Sequence, residues 1–427
     1  MFRKFLALCT VLALSLTMFT ACGGGSGTGN SVHGETDPLL PITATTAGYT
    51  VPAGVKIGLI CIHDENSTYD KNFMDAMNRA KETLKLADDQ LIVKTNIPES
   101  DACYTAACEL ADKGCSIIFA DSFGHEPYVA QAAEKYPNVQ FCHATGDGAA
   151  SDYKDLPNMH NMFAAIYEGR YLAGIAAGMK LNEMIAAGKF KAEEAIIGYV
   201  GAFTYAEVIS GMTSFFLGAR SVCPTATMKV RYTGSWFDQG KEQEAANALI
   251  TEDKCVLISQ HADSLGAPTA CQLAGVPNVS YNGSTYSAGK TSFLISSAIN
   301  WTPYYIYAIG QVVKGEPIDK NWTGTIATGS VVLSGLNRDV AAEGTAEALE
   351  AAIAKFKAGT LHVFDTSTWT LNGEHLTEYL ADVDGDFTGE VNVIHDGYFD
   401  ESGKEFRSAP YFDIIIDGVT NINVNFG

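Results

Sequence analysis

Basic side chains are scarce in this chain. Lys and Arg number 28 against 49 Asp and Glu, a formal charge of −21, and no stretch concentrates them. Such a surface repels a polyphosphate backbone, which excludes nucleic acid as a partner. Past the first 22 residues no run is long and apolar enough to cross a bilayer. None of the 10 cysteines belongs to a C-x-x-C pair, and Cys61, Cys142 and Cys255 sit inside apolar strand-like runs. That pattern argues against a zinc site and for small buried hydrophobes, although an exported chain with an even number of cysteines beyond its leader permits disulfides. A Gly-x-Ser-x-Gly elbow is absent, and no Asp-x-Asp pair stands at a strand end. The usual means of nucleophilic or metal-assisted hydrolysis are therefore missing, and neither a metal nor a cofactor is expected.

What is present begins with a leader. Arg3 and Lys4 precede an apolar stretch over residues 5–18, the form of a secretory signal over residues 1–21. FTAC at 19–22, followed by GGGSG, resembles a bacterial lipobox in which Cys22 becomes the lipid-modified first residue. The plainer reading is a secreted protein with Cys22 merely near the cleavage site. An acylated cysteine places the protein on the extracytoplasmic face of the cell membrane. Residues 22–50, rich in Gly, Ser and Thr, read as a flexible tether.

From residue 55 short apolar strands alternate with helical segments, a parallel α/β pattern. Strands are expected at 55–62, 90–95, 116–120, 139–143, 195–200, 227–232, 255–259 and 279–281, with helices between them. The two groups of four strands are separated by a long helix over 167–187. This predicts two doubly wound α/β lobes and a hinge: lobe 1 over 51–165, the hinge helix and lobe 2 over 166–300, and a hinge return with a C-terminal elaboration covering the lobes over 301–427. In open parallel sheets ligands bind beyond the carboxyl ends of the strands.

The turns at those ends carry the words DKNF (70–73), FADSFG (119–124), FCHATG (141–146), IYEGRYLAGIAAG (166–178), GSWFD (234–238), QHADS (260–264) and NWTPYY (300–305). In this order they resemble the basic membrane protein family of lipoprotein solute receptors for ABC transporters, over residues 55–427. The resemblance implies a type I periplasmic-binding-protein fold, lobes that close on a purine base or purine nucleoside, and delivery of that ligand to an ABC permease. A monomer is the default for such a receptor. Asn72 and Met74 depart from the family's Asp-Lys-Ser-Phe-Asn word, and INW at 299–301 stands where nucleoside-binding members carry a lysine near the sugar. These departures make a free base such as adenine at least as good a ligand as a nucleoside.

A purine asks for aromatic faces above and below it and for polar groups around its rim. Stacking contributes about 1–3 kcal/mol per aromatic. Phe73 and Trp236 are the expected sandwich pair, with Tyr69 and Trp301 as substitutes and Phe123 in a neighbouring turn. Phe73 can equally be the first buried residue of a helix, and Trp236 can pack within a lobe. The rim candidates are Asp64, Asn66, Ser122, His143, His261, Asp263 and Asn282. Asp64, Asn66 and Ser122 serve as readily in turns and helix caps. His143 and His261 end apolar strands, where histidines often bond backbone, but His261 and Asp263 at a spacing of two share one side of an extended chain. Arg170, in the central helix, is expected to brace the hinge.

The loop DVDGD (382–386) with Glu390 hints at calcium. It lacks the glycine and the glutamate at the loop positions that such sites use, so a solvated acidic turn is favoured. Two alternative functions keep the residues and change the cargo or the chemistry: a simple-sugar receptor of the same fold, and an extracytoplasmic purine nucleoside hydrolase.

Overall fold

The computed structural model describes residues 34–401 and 406–424; the expected signal sequence and Cys22, the expected site of acylation, lie outside them. In chain order the first part comprises β1 (Glu35–Leu40), β2 (Lys56–Ile60), α1 (Thr68–Leu84), β3 (Leu91–Lys94), α2 (Asp101–Asp112), β4 (Cys115–Ala120), α3 (Glu126–Lys135), β5 (Gln140–Ala144) and β6 (Met159–Ala164). The second comprises α4 (Ile166–Ala186), β7 (Ile196–Gly201), α5 (Ala206–Val222), β8 (Thr227–Tyr232), α6 (Gln239–Thr251), β9 (Leu257–His261), α7 (Gly266–Ala274), β10 (Asn278–Tyr281) and β11 (Phe293–Ile299). Then follow α8 (Thr302–Lys314), β12 (Asn321–Gly324), β13 (Val331–Asn337) and α9 (Thr345–Lys357).

Two sheets result. Lobe 1 holds the order β12-β6-β5-β4-β2-β3, parallel throughout. Lobe 2 holds β1-β13-β11-β10-β9-β7-β8, with a short strand, Val419–Asn421, added beside β8. Its central strands are parallel, and β13 and β1 run antiparallel at one edge. Ile117, Ile118, Phe119 and Ala120 of β4 are all buried, as a strand with helices on both faces requires. The eight cysteines at 61, 103, 108, 115, 142, 223, 255 and 271 are likewise buried and unpaired.

The chain passes between lobes over 41–55, where it leaves β1 for β2, and again near residue 165, near 300 and over 325–330. The crossings bond to one another. The Ala165 N–H donates to the Gly324 carbonyl at 2.7 Å, and the Asn300 N–H to the Ser330 carbonyl at 2.7 Å. The Glu168 carboxylate accepts the Ile326 N–H at 2.7 Å, and burial pushes that carboxyl up to about 7. Glu168 thus braces the hinge. Arg170, expected there too, instead lies inside lobe 2, where it donates to Tyr199 Oη, Ser259 Oγ and the Ser280 carbonyl and ties three strands together near their carboxyl ends. Helices α4 and α5 pack closely because Gly174 and Gly218 each face the other helix's backbone; a Cβ on either would lie 2.0 Å from a carbonyl oxygen.

Each of the eight expected strands is present within a few residues. Four others, β6, β11, β12 and β13, escape a search for apolar runs because they carry His, Asn or Ser amid their apolar residues. The expected tether over 22–50 is corrected in its later part. Residues 35–40 form β1, paired with β13 some 300 positions away in sequence, a partner that local composition cannot announce.

Candidate ligand-binding cleft

The lobes meet where the carboxyl ends of both sheets face each other. Helix α1 begins there, capped by Ser67, whose Oγ accepts the Asp70 N–H at 3.2 Å. The Thr68 N–H and Oγ1 both donate across the cleft to the Asp263 carbonyl, at 2.9 and 3.1 Å. The Asn72 amide reaches the Ile299 carbonyl at the hinge. The structure therefore describes a closed arrangement of the lobes.

Between them lies an inner chamber of about 330 Å³, counted as space free of protein atoms and continuous in part with solvent. Tyr69 and Phe123 from lobe 1 and Trp236 and Tyr281 from lobe 2 supply aromatic walls, with Ile62 beside them. Ser122 and Thr145 of lobe 1 and Glu207, His261 and Asp263 of lobe 2 supply the polar lining. Six of the twelve side chains expected from the sequence thus come together: Tyr69, Ser122, Phe123, Trp236, His261 and Asp263.

The other six do not line the chamber. Phe73 and Trp301 are buried and stack on each other with ring centroids 4.2 Å apart, so the expected platform and its substitute are core of lobe 1. Asp64 accepts the Asn66 N–H at 3.1 Å and the Asn66 amide at 2.8 Å; both complete an exposed turn, and those bonds hold Asp64 below the usual carboxylate range. His143 is sealed beneath the floor, Nε2 2.6 Å from the Ser122 carbonyl and Nδ1 3.6 Å from Glu126. Asn282 stands one step back, donating to Asp263 Oδ1 at 3.2 Å.

Asp263 is the most heavily supported member. Its N–H donates to the Trp236 carbonyl at 3.0 Å, which couples the acid to the indole. The buried Glu242 carboxylate fixes the next residue by accepting the Ser264 N–H at 3.2 Å. Burial, with the charges of Asp70, Glu242 and Glu207 adding to it, raises the Asp263 carboxyl well above its ordinary value. A neutral carboxyl offers one donor and one acceptor, the complement of a ring nitrogen beside an exocyclic amine. Burial likewise lowers His261, leaving a neutral imidazole with Nε2 3.5 Å from Glu207.

Below the chamber floor, Asp121 is raised well above its ordinary value by burial and by the Asp70 charge. Asp70 is pushed up by burial but held below the usual range by its bonds to His63 and Ser67. With Cys61 they form a buried group of ligand-capable atoms within 4.8 Å of one another. The Tyr69 hydroxyl donates to the Asp121 carbonyl at 2.7 Å, which connects this group to the chamber wall.

Sequence reasoning missed Thr145, Glu207, Tyr281 and Ile62. Thr145 and Tyr281 were within reach: one follows His143 by two in FCHATG, the other ends a strand. Thr145 takes φ of +63°, a strained value for a β-branched residue. Its Oγ1 is buried without a hydrogen-bond partner, as is the Tyr281 hydroxyl. Glu207 gave no such signal, since it opens α5 as an ordinary first-turn acid.

Comparison with known proteins agrees with this architecture. Residues 57–358 match the family described as ABC transporter substrate-binding protein PnrA-like. A protein of Brucella abortus named as a purine-binding protein is 31% identical over 374 residues, covering 80% of this chain and 98% of the relative. TsgA13 of Haloferax volcanii, which carries the name of an ABC transporter glucose-binding protein, is 38% identical over 217 residues; the match spans 51% of each chain. Solute-binding proteins of Conexibacter woesei and Aeropyrum pernix superpose with TM-scores of 0.56 and 0.57, covering 72% and 71% of this chain and 98% and 92% of theirs, at 19% and 15% identity, a likeness of fold. Among the described residues no helix is long and apolar enough to cross a membrane. With its matched family, its type I two-lobed fold and its closed interlobe chamber, the chain belongs to the Bmp family of PnrA-like ABC transporter substrate-binding proteins.

Proposed function

We propose that the inner chamber captures a purine base, such as adenine, or a purine nucleoside, and that the closed protein hands it to its ABC permease. The protein acts as a monomeric lipoprotein, held by Cys22 on the extracytoplasmic face of the cell membrane, and performs no catalysis. The observation that carries this reading is the composition of the chamber: four aromatic side chains, drawn equally from both lobes, around buried polar atoms that have no partner. Tyr69, Phe123 and Trp236 are proposed to contact the ring faces, and Ser122, Thr145, His261 and Asp263 its rim. The name of the Brucella relative supports the same cargo.

The second reading is a simple sugar, favoured by the name of the Haloferax relative. A sugar needs more paired polar contacts around one ring than a base does. Calorimetry of the soluble domain against purine bases, nucleosides and simple sugars decides between them. Saturable heat with purines is expected; heat with sugars and none with purines sinks the purine reading. Turnover of a nucleoside by the same preparation would revive the hydrolase.

A further inference from the structure

Beneath the chamber floor, Cys61, Asp70 and Asp121 bring a thiol and two carboxyls to one buried point, their ligand atoms within 4.8 Å of one another. All three residues are 0% exposed. Three elements converge to place them. Ile60 and Ala120 are paired in register at the carboxyl ends of β2 and β4, so the next residues of those adjacent parallel strands, Cys61 and Asp121, are neighbours. Asp70 comes from the first turn of α1. His125, just before α3, lies at the edge of the group, with Nδ1 3.9 Å from Asp121 Oδ1.

The hydrogen bonds leave this group incomplete. His63 serves Asp70, with Nδ1 3.4 Å from Oδ2. Asp121 Oδ1 accepts the Ile62 N–H at 3.1 Å, but Oδ2 is buried without a hydrogen-bond partner. The Tyr305 hydroxyl, which feels the charges of Cys61 and Asp121, is buried without one as well. His125 carries the strongest indication. Its Nε2 lies 2.8 Å from the Ile97 carbonyl and must hold the hydrogen of that bond, so the neutral ring keeps a lone pair on Nδ1. That atom is fully buried, has no hydrogen-bond partner and faces a carboxylate oxygen. Two acceptors turned toward each other in a dry interior call for a positive centre between them. A backbone carbonyl on the opposite ring nitrogen is the support that metal-bound histidines use.

We propose that Cys61, Asp70, Asp121 and His125 form a structural site for a divalent cation of the zinc type, whatever the cleft above it carries. The donor set decides the metal. A thiolate, an imidazole and two carboxylates suit the tetrahedral, mixed coordination of zinc, whereas calcium and magnesium take oxygen ligands. Tetrahedral zinc, with bonds of about 2.0–2.3 Å, holds its donors roughly 3.3–3.8 Å apart, so the three grouped atoms have at most about 1.5 Å to close. Binding releases the thiol proton, and any proton held by the carboxyls, to solvent. No C-x-x-C pair announces such a site, because its ligands come from separate turns of the fold. The cation also ties together parts of the cleft. Asp70 shares its helix turn with Thr68, which bonds to Asp263 across the lobes, and Tyr69 of the chamber wall donates to the Asp121 carbonyl.

The test is to purify the full-length protein from medium supplemented with zinc chloride or cobalt chloride and to dialyse away free metal. Bound metal is then measured by elemental analysis, cobalt ligation by absorption, and the melting temperature with and without a chelator. One zinc per chain, a melting temperature lowered by the chelator, and the near-ultraviolet charge-transfer band of a cobalt–thiolate bond are expected. Cys61→Ser should remove that band, and His125→Gln should weaken zinc binding at least tenfold; Cys61→Ala serves if the serine variant does not fold. The exposed cluster of Asp382, Asp384, Asp386 and Glu390 is the competing site. Asp384→Asn combined with Asp386→Asn is therefore expected to leave both zinc and the band unchanged. Less than a tenth of an equivalent of retained zinc, cobalt bound without the thiolate band, or a band that survives replacement of Cys61 overturns the site. Loss of the metal in the loop variant overturns it too, and unchanged zinc affinity in His125→Gln removes the fourth ligand and with it the site as proposed.

Discussion

Trp236, in the turn after β8, and Phe73, near the start of α1, are both aromatic side chains beyond strand ends, and both are candidates to lie against a ligand. Their surroundings separate them. Trp236 faces the chamber, whereas Phe73 has a second indole, Trp301, laid over it in the core. Trp236→Ala is expected to weaken purine binding at least tenfold, about 1.4 kcal/mol, measured by calorimetry. Unchanged affinity in an intact fold would remove Trp236 from the contact. Phe73→Ala is expected to lower the unfolding free energy by about 3–5 kcal/mol in chemical denaturation, the cost of emptying a core aromatic. The motifs and their order were legible in the sequence because residues beyond strand ends are few and chemically distinctive. Which way a ring points was not, since α1 turns Tyr69 and Phe73 to different surroundings although they lie four residues apart. Glu207 was illegible for a related reason: a first-turn acid satisfies a helix dipole whether or not it also faces a cavity.

At the level of elements, the eight strands with continuous apolar runs could be read from composition. The strands recruited by distant partners could not, and β1 is the clearest case. The C-terminal segment has the same character. It is turn-rich, with two-residue strands at Leu380–Ala381 and Val391–Asn392, and it takes its form from what it covers. Its fastening to lobe 1 depends on Arg407 and Asp147, both largely buried. Burial and the neighbouring Glu126 charge, against the pull of Arg407, push the Asp147 carboxyl up to about 7. Arg407→Ala is therefore expected to cost about 3 kcal/mol at pH 8, where Asp147, released from the guanidinium, must either stand as an unpaired buried charge or hold a proton that the unfolded chain has lost. The cost should be smaller at pH 6, where Asp147 takes up a proton. Denaturant titrations at the two pH values check this; an equal loss at both would show that the pair contributes through packing alone.

For the whole molecule, the raised carboxyls set the response to pH. Burial pushes Glu168 and Glu242 up to about 7 and Glu401 up to about 8, alongside Asp147. A carboxyl whose folded pKa exceeds its unfolded value keeps its proton in the native state only, so stability falls as pH rises from the unfolded value to the folded one. Each such group removes roughly 1.4 kcal/mol per pH unit within that window. His125 and His160, lowered to about 4 by burial, act oppositely, but their effect is complete once the unfolded histidines have lost their protons near 6.5. The melting temperature is expected to fall from pH 6.5 to pH 8, most steeply in the lower part of that range. A rise over this interval contradicts the assignment, and Glu401→Gln should flatten the upper part.

The strand β1 has one further effect on how such molecules meet one another. Lobe 2's sheet ends at ETDPLL, a six-residue strand in which Asp37 and Pro38, a proline without an N–H to donate, are exposed. An edge of that kind is a poor template for another chain. Without it, β13 would become the outermost strand and offer the ladder over Leu333–Asn337, which β1 now covers, unpaired to its neighbours. Deletion of residues 34–42 is thus expected to leave the cleft in place and to produce concentration-dependent association, visible as a rising mass in light scattering. The stretch whose composition reads as a tether would then be what keeps one receptor from sticking to the next.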